Sequence, residues 1–189
     1  MSGTHEELTP TAELTHEHEV VLVVVGAMER EAAHIRAGRQ IHAEAVARMV
    51  EFTREFTDGC HHNKEEKVLF PLLRATAPVA GEPVRVMLAE HAQARLHVRA
   101  ISEALPEAGT GDPFAALSVA DGLEGYAALL RAHIDKENRV LFPLAERVLD
   151  GAAKAALAAE FERVEREETG AGVHEKYHAM AHDLGAAGL

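Results

Sequence analysis

Two stretches decide the fold: residues 61–73 read HHNKEEKVLFPLL, and residues 133–145 read HIDKENRVLFPLA. In both, a histidine is followed four residues later by a glutamate, and then by an apolar run that contains a proline. Four residues make about one helical turn, so the histidine and the glutamate project from the same face of a helix. The chain therefore carries two copies of a polar helical pair, each placed directly before a core segment.

Aligning the two copies at an offset of 72 residues pairs His61 with His133, Glu65 with Glu137, His62 with Ile134, and Glu66 with Asn138. The first two pairs keep their residue type in both copies, which indicates a shared function. His62 and Glu66 have no counterpart of the same type, and we predict that they lie on the solvated surface. Pro71 and Pro143 each free a carbonyl four residues earlier, so we predict a kink just beyond each pair.

The composition favours a helical globular protein with an acidic surface. Of 189 residues, 47% are hydrophobic and none is tryptophan, while Ala and Leu are plentiful. The net charge of −12 argues against nucleic acid or an anionic membrane as a partner. A single cysteine, Cys60, excludes an intramolecular disulfide, and the apolar run at 20–25 is too short to span a bilayer. We therefore predict a soluble cytoplasmic protein.

Helix signals divide the chain into four long helices and a shorter tail. Breaker-rich segments such as TAPVAGEP at 76–83 and PEAGTGDP at 106–113 separate the helical patterns. The predicted helices cover residues 10–37, 41–75, 84–105, 114–149, 152–168 and 174–184. This pattern predicts an all-α, antiparallel up-down-up-down four-helix bundle made of two repeated helical hairpins. We assign residues 1–149 to this bundle and residues 150–189 to a C-terminal helical extension packed on it.

The repeated residues are predicted to meet in one layer of the bundle. Two residues of an antiparallel hairpin lie at the same level when they are equidistant from its turn. Three midpoints fall inside predicted turns: 39.5 for residues 18 and 61, 112 for 91 and 133, and 78 for 65 and 91. The dipeptide Glu17-His18 also recurs, as Glu90-His91. The layer is predicted to contain His18, His61, Glu65, His91, His133 and Glu137.

Two carboxylates buried in such a layer need positive charge. Burying each without a cation would cost several kcal/mol, and neutral histidines cannot supply that charge. A pair of metal ions would supply it, because the two carboxylates can bridge both ions. Imidazole together with carboxylate suits iron, and also manganese or zinc. The sequence thus predicts that these six side chains ligate two metal ions and leave coordination positions open.

This arrangement resembles the hemerythrin-like, HHE cation-binding family over residues 10–149. The resemblance rests on His18 and His91 in the EH positions of the first and third helices, and on the two HxxxE-LFP segments. It implies a four-helix bundle around a non-haem di-iron centre. One departure is Arg95, because oxygen-carrying hemerythrins have a histidine at this place. The pattern is closer to members linked to nitric oxide, iron-centre repair or iron sensing, although their cysteine-bearing or F-box segments are absent here.

Four more residues are candidates for contact with this centre. Arg95 lies one turn beyond His91 and is predicted either to form a salt bridge, with Glu29 as a partner, or to gate an open metal position. Tyr126 lies on the inward stripe of the fourth helix, either as a buried hydrogen-bonded residue or as a residue that acts next to the metal. His174 and His178 either pack against the bundle or reach the centre as extra ligands or a lid.

The function predicted from these observations is that of a non-haem di-iron protein. It would bind or turn over dioxygen, nitric oxide or peroxide, as an oxidoreductase that scavenges peroxide or nitric oxide if it turns over. An unidentified protein would then donate electrons. Two alternatives remain: an iron sensor or store without turnover, and a structural zinc bundle without redox chemistry.

Overall fold

The computed structural model describes residues 9–170 and 172–187, so residues 1–8 of the predicted bundle lie outside the described residues. These ranges are helical and contain no strand. The helices are α1 Pro10–Arg36, α2 Ala43–Phe52, α3 Phe70–Thr76, α4 Gly81–Gly109, α5 Pro113–Lys136, α6 Phe142–Val148, α7 Gly151–Val164 and α8 Val173–Ala186. Wider π-helical segments are Thr53–His62, Glu65–Leu69, Glu137–Leu141 and Glu165–Thr169, and a 3₁₀ turn spans Pro78–Ala80.

Two helix starts follow the cap-plus-proline pattern of the sequence. Thr9 accepts the Ala12 N–H at the start of α1, and Asp112 accepts the Phe114 N–H at 2.8 Å at the start of α5. The third predicted helix is longer than expected, because α4 continues through Pro106 to Gly109. Ala108 is buried against the core, and this contact favours one further helical turn despite the proline.

The predicted disturbance around the two prolines takes the form of a widened turn. The Phe70 N–H donates to the carbonyl of Glu65, and the Phe142 N–H donates to that of Glu137, five residues back in each case. Because Pro71 and Pro143 lack an N–H and crowd the preceding turn, the helix widens just before each of them. π-helical turns of this kind are frequent at functional sites.

Contacts between the long helices run in reversed order. Arg36 at the end of α1 bonds Glu124 of α5 at 2.8 Å, whereas His18 near its start bonds Asn138, beyond the end of α5. The same reversal relates residues 43–76 to α4, from the Arg54–Ser102 bond to the Glu66–His91 bond. In addition, α8 packs against α1 and α2.

The buried apolar residues form two clusters, and a polar layer lies between them. The larger cluster includes Met28, Phe52 and Ile101, and the smaller one includes Leu14 and Phe70. The polar layer crosses α1, α4, α5 and the π-helical segments. None of the described helices is long and apolar enough to span a lipid bilayer.

Gly122→Ala is expected to destabilise the protein, because α4 and α5 approach closely at this residue. An added Cβ would lie 2.6 Å from Cγ1 of Ile101, which is fully buried. Overpacking of this kind costs about 1–3 kcal/mol, against a gain of roughly 1 kcal/mol in helix propensity. Gly26→Ala in α1 is the control, since its Cβ would meet only an arginine tip at 3.6 Å. Urea unfolding should show lower stability for the first variant and equal or higher stability for the control.

Candidate metal centre

Two groups of buried side chains in the polar layer can each hold a metal ion. Within each group the potential ligand atoms all lie within 4.8 Å of one another. One group is His18, His61, Glu65 and Glu137, and the other is His62, Glu65, His91 and His133. All seven residues are at most 2% exposed. Glu65 belongs to both groups, so the two candidate sites are adjacent and share a carboxylate.

Both carboxylates lie between histidines of the two groups. Glu137 has one oxygen 3.2 Å from Nε2 of His18 and the other 3.3 Å from Nε2 of His133. Glu65 has one oxygen 3.8 Å from Nε2 of His61 and the other 3.4 Å from Nε2 of His91. The structure thus brings together the six side chains named from the sequence, in a geometry that suits two bridging carboxylates.

The polar atoms that face the centre lack hydrogen bonds within the described part of the chain. All four carboxylate oxygens of Glu65 and Glu137 are buried without a hydrogen bond, as are Nε2 of His18, His61 and His62. Buried polar atoms in this state each cost about 1–3 kcal/mol, and more when charged. Cations among these atoms would satisfy them. The donor set of imidazole nitrogens and carboxylate oxygens therefore fits a metal centre.

The prediction that His62 lies on the solvated surface is wrong, because His62 is buried and belongs to one of the two candidate groups. It is 2% exposed, and its ring stacks on that of His91 with centroids 3.7 Å apart. In a regular α-helix, neighbouring side chains point about 100° apart, so His61 and His62 would not face the same centre. The wider π-helical turn over Thr53–His62 changes this angle. A signal was present in the repeat, because the counterpart Ile134 is apolar and 4% exposed.

Each of the five histidines has a polar partner at Nδ1. The partners are Asn138 for His18 at 2.9 Å, Glu17 for His61 at 2.7 Å, Asp58 for His62 at 3.1 Å, Glu66 for His91 at 2.7 Å and Glu90 for His133 at 3.0 Å. A ring that donates from Nδ1 keeps the Nε2 lone pair free for a metal. Glu66, also predicted to be solvated, is thus a partly buried anchor for a ring of the centre.

Two of these lone pairs face each other. Nε2 of His91 lies 3.1 Å from Nε2 of His133. When both rings are neutral and donate from Nδ1 to their carboxylates, each presents a lone pair at Nε2. A cation near both atoms would be ligated by both lone pairs.

The carboxylate anchors are in turn held by cations. Lys64, which is fully buried, donates to Glu17 at 2.7 Å and also pairs with Glu13 and Glu165. Lys136 pairs with Glu90. These cations keep the carboxylates of Glu17 and Glu90 ionised and in place. Each lysine thus contacts a glutamate, which in turn contacts a histidine ring of the centre.

Burial also sets the charge state of the centre. Burial lowers the pKa of His61 to about 4, although the hydrogen bond to Glu17 opposes this shift. The ring is therefore neutral at pH 7, as metal ligation requires. Burial, and then the charge of Glu137, raise the pKa of Glu65 well above its usual value. A cation would remove this cost of a charged Glu65.

Arg95 bridges the anchors of His62 and His91. Its guanidinium donates to Asp58 at 2.7 Å and to Glu66 at 2.8 Å. The predicted partner Glu29 is wrong, because it pairs instead with Arg131 at 2.7 Å. The geometry places Arg95 outside both candidate metal groups, where it fixes two of their anchors.

The other three candidates lie around the centre. Tyr126 is 2% exposed and lines a pocket that reaches His62. His174 approaches Glu17, with Nε2 3.5 Å from its Oε1, and its ring centroid lies 4.4 Å from that of His178. Neither histidine of α8 belongs to the two groups described above.

A further group consists of Glu17 and Cys60, which are buried, and Glu165, which is partly exposed. Its two carboxylates already pair with the ammonium of Lys64. This group therefore has its cation within the chain.

Comparison with protein families agrees with this geometry. The family model described as the Hemerythrin HHE cation binding domain matches residues 9–145, most of the chain. No curated protein and no solved structure matches the chain significantly. The matched range contains all seven residues of the two metal groups.

Proposed function

Because this chain belongs to the hemerythrin HHE cation-binding family, we propose that it is a di-iron protein that binds or turns over a small oxidant. The oxidant would be dioxygen, nitric oxide or peroxide, and turnover would make the protein an oxidoreductase with a separate electron donor. Residues 1–149 would form the antiparallel four-helix bundle, with 150–189 as its helical extension. The proposed location is the cytoplasm, with manganese or zinc as other metals that the ligands accept.

The observation that carries this proposal is the pair of buried carboxylates without hydrogen bonds, surrounded by imidazole Nε2 atoms. The ligands divide into two sets on either side of Glu65 and Glu137. His18 and His61 would hold one ion, and His62, His91 and His133 would hold the other. The nitrogen-rich set favours reversible binding or redox work on a small ligand over four-carboxylate oxidase chemistry.

The protein itself orients the ligand side chains, keeps imidazole neutral and limits the access of water to the centre. Iron held at this centre would supply Lewis-acid and redox chemistry to a small ligand. The anchors at Nδ1 hold the rings in position with their Nε2 atoms turned inward. The two apolar clusters lie on either side of the layer, and both carboxylates are fully buried between them.

His62→Ile is expected to lower the metal content from two ions to one per chain. The replacement copies Ile134 of the second repeat, so it removes a ligand but fills the space. Metal analysis of reconstituted protein measures the change, and a ferric absorption in the near ultraviolet would distinguish iron from zinc. His182→Ala, at a side chain 85% exposed, is the control. Two ions in His62→Ile would contradict this ligand assignment.

Consumption of nitric oxide or peroxide by the iron-loaded protein tests turnover. Loss of consumption in His62→Ile, at matched protein concentration, is expected if the centre does the work. A metal-loaded protein that is inert towards both ligands would remove the oxidoreductase proposal.

One observation favours iron sensing as a second function. Glu165, at the end of α7, contacts Lys64, and His174 of α8 contacts Glu17, which anchors His61. The C-terminal extension therefore touches the support of one metal ligand. If the protein is a sensor, binding of iron would change the protease resistance of residues 150–189 without turnover of any ligand. Protease resistance that iron leaves unchanged would remove this alternative.

A further inference from the structure

A pocket of about 170 Å³ opens beside the candidate metal centre. Its inner wall contains His62 and Tyr126, each 2% exposed. Its mouth is charged and is formed by Arg54, Asp58, Arg95 and Arg99. A water molecule takes up about 30 Å³ in the liquid, so the pocket has room for an ion of a few atoms with some water. It connects the surface with a histidine of the centre.

The internal repeat shows that this pocket is not a requirement of the fold. At the offsets of 72 and 73 residues, four of its charged or histidine positions are apolar or glycine in the other copy, whereas Arg54 corresponds to Tyr126, which also lines the pocket. Asp58 corresponds to Leu130, His62 to Ile134, Arg95 to Leu22, and Arg99 to Gly26. Leu130 and Ile134 are at most 4% exposed and belong to the core. One half of the bundle thus has core residues at the positions where the other half has Asp58 and His62.

The charges at the mouth leave one cation without a carboxylate. Arg95 pairs with Asp58 and Glu66, and Arg99 pairs with Glu103. Arg54 donates to the hydroxyl of Ser102 at 2.8 Å, and it forms no ion pair among the described residues. Because Arg95 and Arg99 are already paired with carboxylates, Arg54 is the cation of this pocket that is left to attract an anion.

We propose that this pocket binds a small oxyanion and places it against the His62 side of the metal centre. Guanidinium groups present their N–H donors in a planar fork that matches the oxygens of an oxyanion. Arg54 is the primary cation because it forms no ion pair among the described residues. Arg95 pairs with Asp58, which accepts from Nδ1 of His62, and so helps to orient the inner wall. The position against the metal rests on the proposed function, whereas the anion site itself does not.

Formate is the probe, because it is a planar oxyanion of three heavy atoms. We expect ¹³C NMR titration of the metal-free protein to show saturable binding that is about tenfold weaker in Arg54→Gln, from the loss of a charge-assisted hydrogen bond. Arg85→Gln is the matched control, since Arg85 pairs with Glu82 on the exposed surface away from this pocket, and should bind as the wild type does. Both arginines are exposed, and thermal unfolding checks that the variants fold.

Three results would overturn parts of this proposal in distinguishable ways. Absence of saturable formate binding by the folded wild type, or equal affinity in Arg54→Gln, removes the anion site. Formate that binds through Arg54 but leaves the absorption of the iron-loaded protein unchanged removes its position against the centre. If the protein takes up no metal while formate still binds through Arg54, the proposed function fails and the anion site stands.

Discussion

Glu65→Met is expected to abolish binding of at least one of the two metal ions and to make the metal-free protein more stable. Glu65 is fully buried, and neither of its oxygens forms a hydrogen bond among the described residues. Without a cation, a buried Glu65 costs free energy either through its charge or through the proton that it takes up, so an apolar side chain of similar size should stabilise the metal-free protein by about 1–4 kcal/mol. With metal present the sign reverses, because the carboxylate shared by both candidate sites is lost.

This reversal is measured by urea unfolding of metal-free and iron-loaded protein, together with the metal content of each. In the wild type, iron should raise the stability strongly, because a ligand that binds only the folded state stabilises it. In Glu65→Met, iron should add far less. Glu124→Met, at an exposed carboxylate that pairs with Arg36, serves as the control and should follow the wild type in both states. A metal-free Glu65→Met protein that is less stable than the wild type would show that Glu65 has a structural role without metal.

Much of the helical fold and the convergence of six polar side chains could be predicted because the sequence repeats. A histidine and a glutamate at the same offset in both halves mark one level of a helical hairpin, and glycine and proline mark the turns. These are local signals of helix period and chain reversal. The structure brings His18, His61, Glu65, His91, His133 and Glu137 together as that reasoning expected.

Identity of residue type between the two copies of the repeat does not by itself predict which residues are buried. His62 was assigned to the surface because its counterpart Ile134 is not a histidine. Ile134 is nevertheless a core residue, and equivalent positions share their burial. The π-helical turn that orients His62 depends on the backbone around Thr53–His62, which side-chain periodicity does not reveal.

The anchors were visible in the repeat, but their role depends on packing between helices. Glu17 and Glu90 occupy equivalent positions in the repeat, and each accepts a hydrogen bond from a histidine on a neighbouring helix. Lys64 and Lys136 are equivalent as well, and each pairs with one of these glutamates. Such contacts join residues 43 to 47 positions apart, so no local pattern identifies them.

The two lysines differ in burial, which gives a second prediction with a large effect. Lys64 is fully buried, whereas the side chain of Lys136 is 42% exposed. Although burial opposes its charge, Glu17 and Glu13 raise the pKa of Lys64 above its ordinary value. Lys64→Met removes this cation and leaves the carboxylate of Glu17 buried without it. Breaking a buried pair from one side costs about 3–5 kcal/mol.

Urea unfolding of the metal-free protein should show this loss of unfolding free energy for Lys64→Met. For Lys136→Met, the unfolding free energy should change by less than about 1 kcal/mol, because its ion pair is exposed. Adding Glu17→Gln to Lys64→Met is expected to restore most of the stability, because the remaining buried charge is removed while an amide can still accept the His61 proton. If the double variant is as unstable as Lys64→Met, the loss arises from packing of the lysine side chain. If it recovers, the charge on Glu17 is the cause, and Lys64 supports the metal centre by keeping Glu17 ionised next to His61.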